Sequence, residues 1–119
     1  MQKYHDFNTG NNWLDESLEN YLMHGFQPGG FLTSVLANDL YLATGRADHW
    51  NKDRLPAIVN EVIHKMPSWS YGSYQRVEEW CADKDGRRSD YAKRVQEQRM
   101  MDILSGKYVA PKYDENIPF

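Results

Sequence analysis

Only one cysteine, Cys81, occurs in this chain, so no internal disulfide can staple it and a reducing compartment is the expected setting. No apolar stretch approaches the ~20 residues that a membrane-spanning helix needs, and no charged-then-apolar leader follows Met1. A soluble, cytoplasmic protein without membrane partners is therefore expected. Charge of one sign is not in excess either: 14 basic and 17 acidic side chains leave a formal −3. That balance creates no global field drawing the chain to nucleic acid or anionic lipid.

Recognisable chemistry is scarce as well. The four histidines, His5, His24, His49 and His64, lack the i, i+4 or CxxC-type spacing of a zinc site. Asp83, Asp85 and Gly86 form a fragment of a calcium loop without its third oxygen ligand or its bidentate Glu, which leaves a solvated turn. The Pro28-Gly29-Gly30 turn is completed by neither phosphate-loop nor dinucleotide glycine pattern, so it reads as structural. Cys81 has no recognisable base beside it and reads as a small buried hydrophobe. The expectation is a protein without metal, cofactor or catalytic residues.

What the chain does contain is helical periodicity. Its 119 residues suit a single domain, since domains of ~100–150 residues can bury a core without staples. Residues 1–10 are polar and end in a turn signal, so they read as a flexible arm; 11–106 read as one helical domain and 107–119 as an extended tail. A first helix is expected from about Asn12 to Met23, with Leu14, Leu18, Tyr21 and Leu22 on one face and Gly25 as its stop. The glycine turn then leads into an apolar segment, Phe31 to Thr44, expected to be one central helix. Leu55, Ile58, Val59, Val62, Ile63 and Met66 mark a third helix, with Pro56 tolerated in its first turn or at a bend. Ser73 is a plausible cap for a short helix from Tyr74 to about Ala82, burying Val77 and Trp80. Ser89 or Asp90 opens a last helix from Tyr91 to about Leu104. Its apolar stripe is thin, which suits loose docking or self-association with another chain. The sum is an all-α fold, a compact bundle of about five helices with an extended C-terminal tail.

Asn38 and Asp39 stand in the middle of the apolar segment, and polar groups buried there must find partners. Arg46, Asp48 or Asn51 could supply them. The structural reading is a polar network of Asn38, Asp39, Arg46 and Asp48 at the junction of the second and third helices; the functional one is an acidic pocket with Asp39 as base and Arg46 as anchor.

Three surfaces could bind. Trp69, Tyr71, Tyr74 and Trp80 surround a Ser/Gly loop with the composition of a protein-binding hot spot, or of a lid on the core. Asp15, Glu16 and Glu19 belong to an acidic front: residues 1–64 hold 8 acidic side chains against 4 basic. Arg87, Arg88, Lys93, Arg94 and Arg99 make the last helix basic, either a solvated face or a phosphate-contacting one, although Asp90 and Glu97 dilute it.

Read together, YLMHGFQPGGFLTSVLANDLYLATGRAD, LPAIVNEVI and MPSWSYGSYQRVEEW resemble a group of small accessory proteins of phages and prophages. In that group a tyrosine helix precedes a His-Gly turn, PGGFL, a Val-Leu-x-Asn-Asp-Leu helix, an Ala-Asp turn and a Gly-Ser-x-x-x-Val-x-x-Trp helix. The resemblance covers about Tyr21 to Trp80 and leaves out the last helix and tail. It implies a viral accessory protein whose partner is a host protein or complex, which it binds and blocks; a defence system such as a CRISPR effector is one such target. Binding of Trp69, Tyr71 and Tyr74, or of the acidic residues Asp15, Glu16 and Glu19, to that partner is the first expectation. Nucleic-acid binding by the basic last helix is the alternative.

Overall fold

A computed structural model describes residues 7–106, and every regular element within them is helical. Six α-helices follow one another: α1 (Asn12–His24), α2 (Gly30–Leu36), α3 (Leu40–Arg46), α4 (His49–Lys65), α5 (Tyr74–Cys81) and α6 (Arg87–Leu104). Single 3-10 turns at Ser68–Ser70 and Lys84–Gly86 precede α5 and α6. The fold is thus all-α, and no helix among the described residues is long and apolar enough to cross a membrane. Residues 1–6 of the expected arm, and the whole expected tail, 107–119, lie outside the described residues.

The core is built around α1. Asn11 caps its start, its side chain accepting from the Trp13 N–H. Leu18, Tyr21 and Leu22 are completely buried, one helical turn apart, against Leu32 and Leu36 of α2, Ile58 and Val62 of α4, and Val77 and Trp80 of α5. Gly25 ends the helix in the left-handed region (φ 72°), donating its N–H to the Tyr21 carbonyl. A side chain there would also collide with Arg88, whose Nε lies 2.6 Å from the position of a Cβ. Two buried polar tips tie the later chain to α1. The Tyr21 hydroxyl donates to the Ser70 carbonyl (2.6 Å), and the Trp80 indole Nε1 donates to the Leu22 carbonyl (3.2 Å). Trp80 thereby satisfies one of the carbonyls that a helix end leaves open.

The expected single helix from Phe31 to Thr44 is two. Asn38 adopts φ 62°, and Asp39 turns its carboxylate back to accept from the Leu42 N–H (3.1 Å), capping α3. The polar pair is spent on breaking the helix, because Asn tolerates the left-handed region and Asp is a strong N-cap. Leu40, an apolar residue of the segment expected to form one central helix, faces solvent as a result. The third helix also departs from expectation. Asp48 caps it from the Asn51 N–H, so it begins at His49, and Pro56 lies inside it on the solvent side, where water can take the carbonyl it leaves unbonded. Its buried face is Ile58 and Val62, with Met66 just beyond; Ile63, on the expected stripe, is exposed.

Residues 7–10 differ from an arm. Phe7 joins the core cluster, Thr9 is buried with its hydroxyl and N–H both donating to Asp15 Oδ1, and the Asn8 N–H reaches Glu61. At the other end, α5 starts after its Ser73 cap as expected, whereas α6 starts four residues early, at Arg87. Ser89 is inside α6 and bonds Asp83, which like Asp85 is left-handed. None of α6's residues is buried; Tyr91 meets Trp80 edge-on at 5.8 Å and fastens its first half.

Replacing Tyr21 with Phe should destabilise the fold by about 1–3 kcal/mol, the cost of leaving a buried carbonyl without its donor. Urea unfolding measures this, with Tyr41→Phe, on a solvent-facing ring, expected to change stability by less than about 0.5 kcal/mol.

Candidate functional site

The expected aromatic cluster does not form one surface. Trp80 is core, and Tyr71 is half-buried against it. Trp69 remains half exposed, but its ring carries two guanidiniums, Arg87 at 3.6 Å and Arg76 at 5.6 Å from the centroid. Arg76 is fixed there by donating to the Ser68 and Tyr71 carbonyls. Trp69 is accordingly a cation–π seat joining the 3-10 turn to α5 and α6. Tyr74, also at the surface, bears no guanidinium, and its hydroxyl donates to Asp39 Oδ2 (2.6 Å).

The charged candidates divide similarly. Of the acidic three on α1, Glu19 is buried, Asp15 is held by Thr9, and Glu16 is exposed. Burial, with the Glu19 charge as second cause, raises the Tyr91 phenol. Of the basic five, Arg87 covers Trp69, and Arg88 donates its Nε to the Trp80 carbonyl (3.0 Å). Arg94 pairs with Asp90 one turn back, Arg99 is half-buried, and Lys93 is exposed. Cys81 packs beside the core, and burial pushes its thiol up, which keeps the thiolate scarce near neutral pH.

The four residues expected in one polar network lie at three places. Asn38 is exposed at the break before α3. Asp39 has its bonds to Tyr74 and Leu42, which hold its carboxyl below the usual carboxylate range, with the Arg46 charge a smaller contribution. Arg46, at the far end of α3, donates through Nη1 to Ser34 Oγ (2.9 Å) and the Gly30 carbonyl (3.2 Å). Asp48 caps α4.

Two features emerge that composition and spacing did not single out. The first is the outer face of α3. Only Ala43 of this helix is buried, while Leu40 is 66% and Tyr41 87% exposed. The Tyr74–Asp39 bond brings a third apolar surface, the Tyr74 ring at 45% exposure, to the same end of the helix. The second is an open cleft of about 510 Å³ where the starts of α1, α2 and α4 meet the end of α3. Trp13, Leu14 and Phe31 give it an apolar wall, and Arg46, Asp48 and Asn51 give it a polar one. Trp13 escaped the sequence reading because helical periodicity cannot say whether a ring off the apolar stripe is covered by a neighbour. Among the described residues no group of His, Cys, Asp and Glu could hold a metal ion.

Compared with protein-family models, curated proteins and solved structures, the chain matches none.

The Asp39–Tyr74 bond has a pH signature. It raises the Tyr74 phenol above the ordinary tyrosine value and lowers the Asp39 carboxyl. The stabilisation is therefore complete between the ordinary values of ~4 and ~10. It is lost as pH rises through the raised Tyr74 pKa or falls through the lowered Asp39 pKa. In an NMR titration with labelled tyrosine, Asp39→Asn should return Tyr74 towards the ordinary tyrosine midpoint; an unmoved midpoint would show that another group sets it.

Proposed function

We propose that this chain is a phage-type accessory protein that works by binding a host protein and blocking it, with the outer face of α3 as the contact surface. The observation that carries this reading is the solvent-facing pair Leu40 and Tyr41 on the short helix α3, with Tyr74 at the start of α5 bonded beside them through Asp39. Large rings with few rotatable bonds supply contact area at low entropy cost, and rings fixed in advance lose still less on docking. The resemblance of Tyr21 to Trp80 to phage accessory proteins supports the viral setting, and a host defence effector is one class of target. This surface replaces Trp69 and Tyr71 as the contact, since those rings are engaged within the fold.

The alternative, nucleic-acid binding through α6, draws on fewer open cations than the sequence offers. Arg87, Arg88 and Arg94 are each occupied by a ring, a carbonyl or a carboxylate of the chain itself. Phosphate neutralisation by side chains already so placed gains less.

Affinity capture from host lysate, with nuclease and with the wild-type chain beside Leu40→Ala and Tyr41→Ala, tests the reading. A stoichiometric protein that survives nuclease and is lost, by about tenfold or more in affinity, from either folded variant is the expected result. Recovery of nucleic acid alone would sink it in favour of α6, and a protein retained equally by both variants would move the contact elsewhere on the surface.

A further inference from the structure

We propose that the cleft between α1, α2 and α4 is a binding site for a small zwitterion with an apolar side chain, that is, an apolar α-amino acid or a short peptide of such residues. Three observations carry this. Asn51 lines the cleft at 8% exposure, and its Oδ1 accepts no hydrogen bond from the described residues. A buried acceptor without a donor is uncommon in folded proteins, and an ammonium or amide N–H entering the cleft supplies one.

The second observation is the pair of opposite charges on the polar wall. Arg46 is held by Nη1 alone, on Ser34 Oγ and the Gly30 carbonyl, so the Nε and Nη2 donors of its planar fork remain for an acceptor. Asp48 uses Oδ1 to cap α4 and has Oδ2 to offer. Among the described residues neither is in an ion pair, with the other or with any third group. A guanidinium fixed in orientation is suited to a carboxylate, and a carboxylate beside an orphan amide oxygen is suited to an ammonium. A phosphate would meet Asp48 as a like charge, and a simple amine would leave Arg46 unused.

The third is the opposite wall. Trp13, 77% exposed, with Leu14 and Phe31, offers apolar surface for a side chain. A volume of about 510 Å³ lies within the range of small-molecule sites. The cleft shares no residue with Leu40, Tyr41 or Tyr74, so this site stands independently of the protein-docking reading.

The test is an amide and indole NMR titration of the full chain, following the Trp13 indole, with L-phenylalanine, L-leucine and the Leu-Leu dipeptide. Hydrocinnamate, phenethylamine and inorganic phosphate serve as comparisons. Saturable shifts centred on Trp13 and Asn51 are expected, from the free amino acids if the two charges of the ligand must be adjacent and from the dipeptide if they must be apart. Gly29→Leu is the blocking variant: Gly29 lies on the cleft at φ −64°, and nothing lies within 4 Å of where its Cβ would be. A larger side chain at this lining position meets nothing in the fold and is accepted without strain, and affinity should fall by about tenfold or more, as it should in Arg46→Gln. Binding of hydrocinnamate or phenethylamine as tight as that of phenylalanine overturns the proposal, as does tighter binding of phosphate. The absence of saturable shifts up to the solubility of all three ligands overturns it too.

Discussion

The arrangement of this protein depends on a phenol that has nowhere to go but inward. Tyr21 is fully buried in the last turn of α1, and its hydroxyl must find an acceptor within the protein. The Ser70 carbonyl supplies it and so fixes the turn between α4 and α5 against α1. One residue further on, the Leu22 carbonyl receives the Trp80 indole N–H, which pulls α5 onto the end of the same helix. α6 follows from these two bonds, since Arg88 reaches the Trp80 carbonyl and lies against Gly25, while Tyr91 rests on the Trp80 ring. Each later contact is made to a group that an earlier one has placed. That order explains why an 18-residue helix with no buried residue still has a defined seat over its first two turns.

A second constraint acts on the opposite side. Once α2 buries Leu32 and Leu36 against α1, a helix continuing straight on would carry Asn38 and Asp39 with it. Breaking at Asn38 lets Asp39 serve as a cap and swings the following residues across α2 as α3. The consequence is a helix that the core scarcely holds. Side-chain hydrogen bonds hold it instead, Asp39 with Tyr74 at one end and Arg46 with Ser34 and Gly30 at the other. Those bonds leave its outer face apolar and open.

Much of this is legible in the amino-acid sequence alone. The stripe Leu18, Tyr21, Leu22, the Gly25 stop, the Ser73 cap and the burial of Val77 and Trp80 follow from helical period and end signals, which act over a few residues. The errors have one source: local signals that compete are settled by distant partners. Asn38 and Asp39 fit either a buried network or a helix break, and the Tyr74 hydroxyl, far along the chain, is what the break makes available to Asp39. Pro56 suits a first turn, yet α4 begins at His49 behind its Asp48 cap and tolerates Pro56 inside it because that residue faces water. Phe7 reads as part of a polar arm because one apolar residue carries no period; its burial depends on core residues far along the chain. The functional surfaces were the least legible. Trp69, Arg87 and Arg88 have the composition of a contact surface, yet each spends its face or its donors inside the fold.

That redistribution bears directly on what the molecule can do. A basic helix whose Arg87 lies on a tryptophan ring, whose Arg88 donates to a carbonyl and whose Arg94 pairs with Asp90 has less freedom to place its guanidiniums on phosphates than its sequence suggests. An acidic helix that buries Glu19 and ties Asp15 to Thr9 likewise presents little of its charge. Charge is used here to assemble the fold. Large apolar side chains reach solvent as well: Leu40 and Tyr41 on α3, and Trp13 over the cleft. The two ends of α3 therefore differ in kind, the Asp39 end presenting rings on an outer face and the Arg46 end presenting a fixed guanidinium in a recess. A helix of 7 residues clamped at both ends gives each surface a defined geometry before anything binds, and that prior ordering is what makes a small contact area specific.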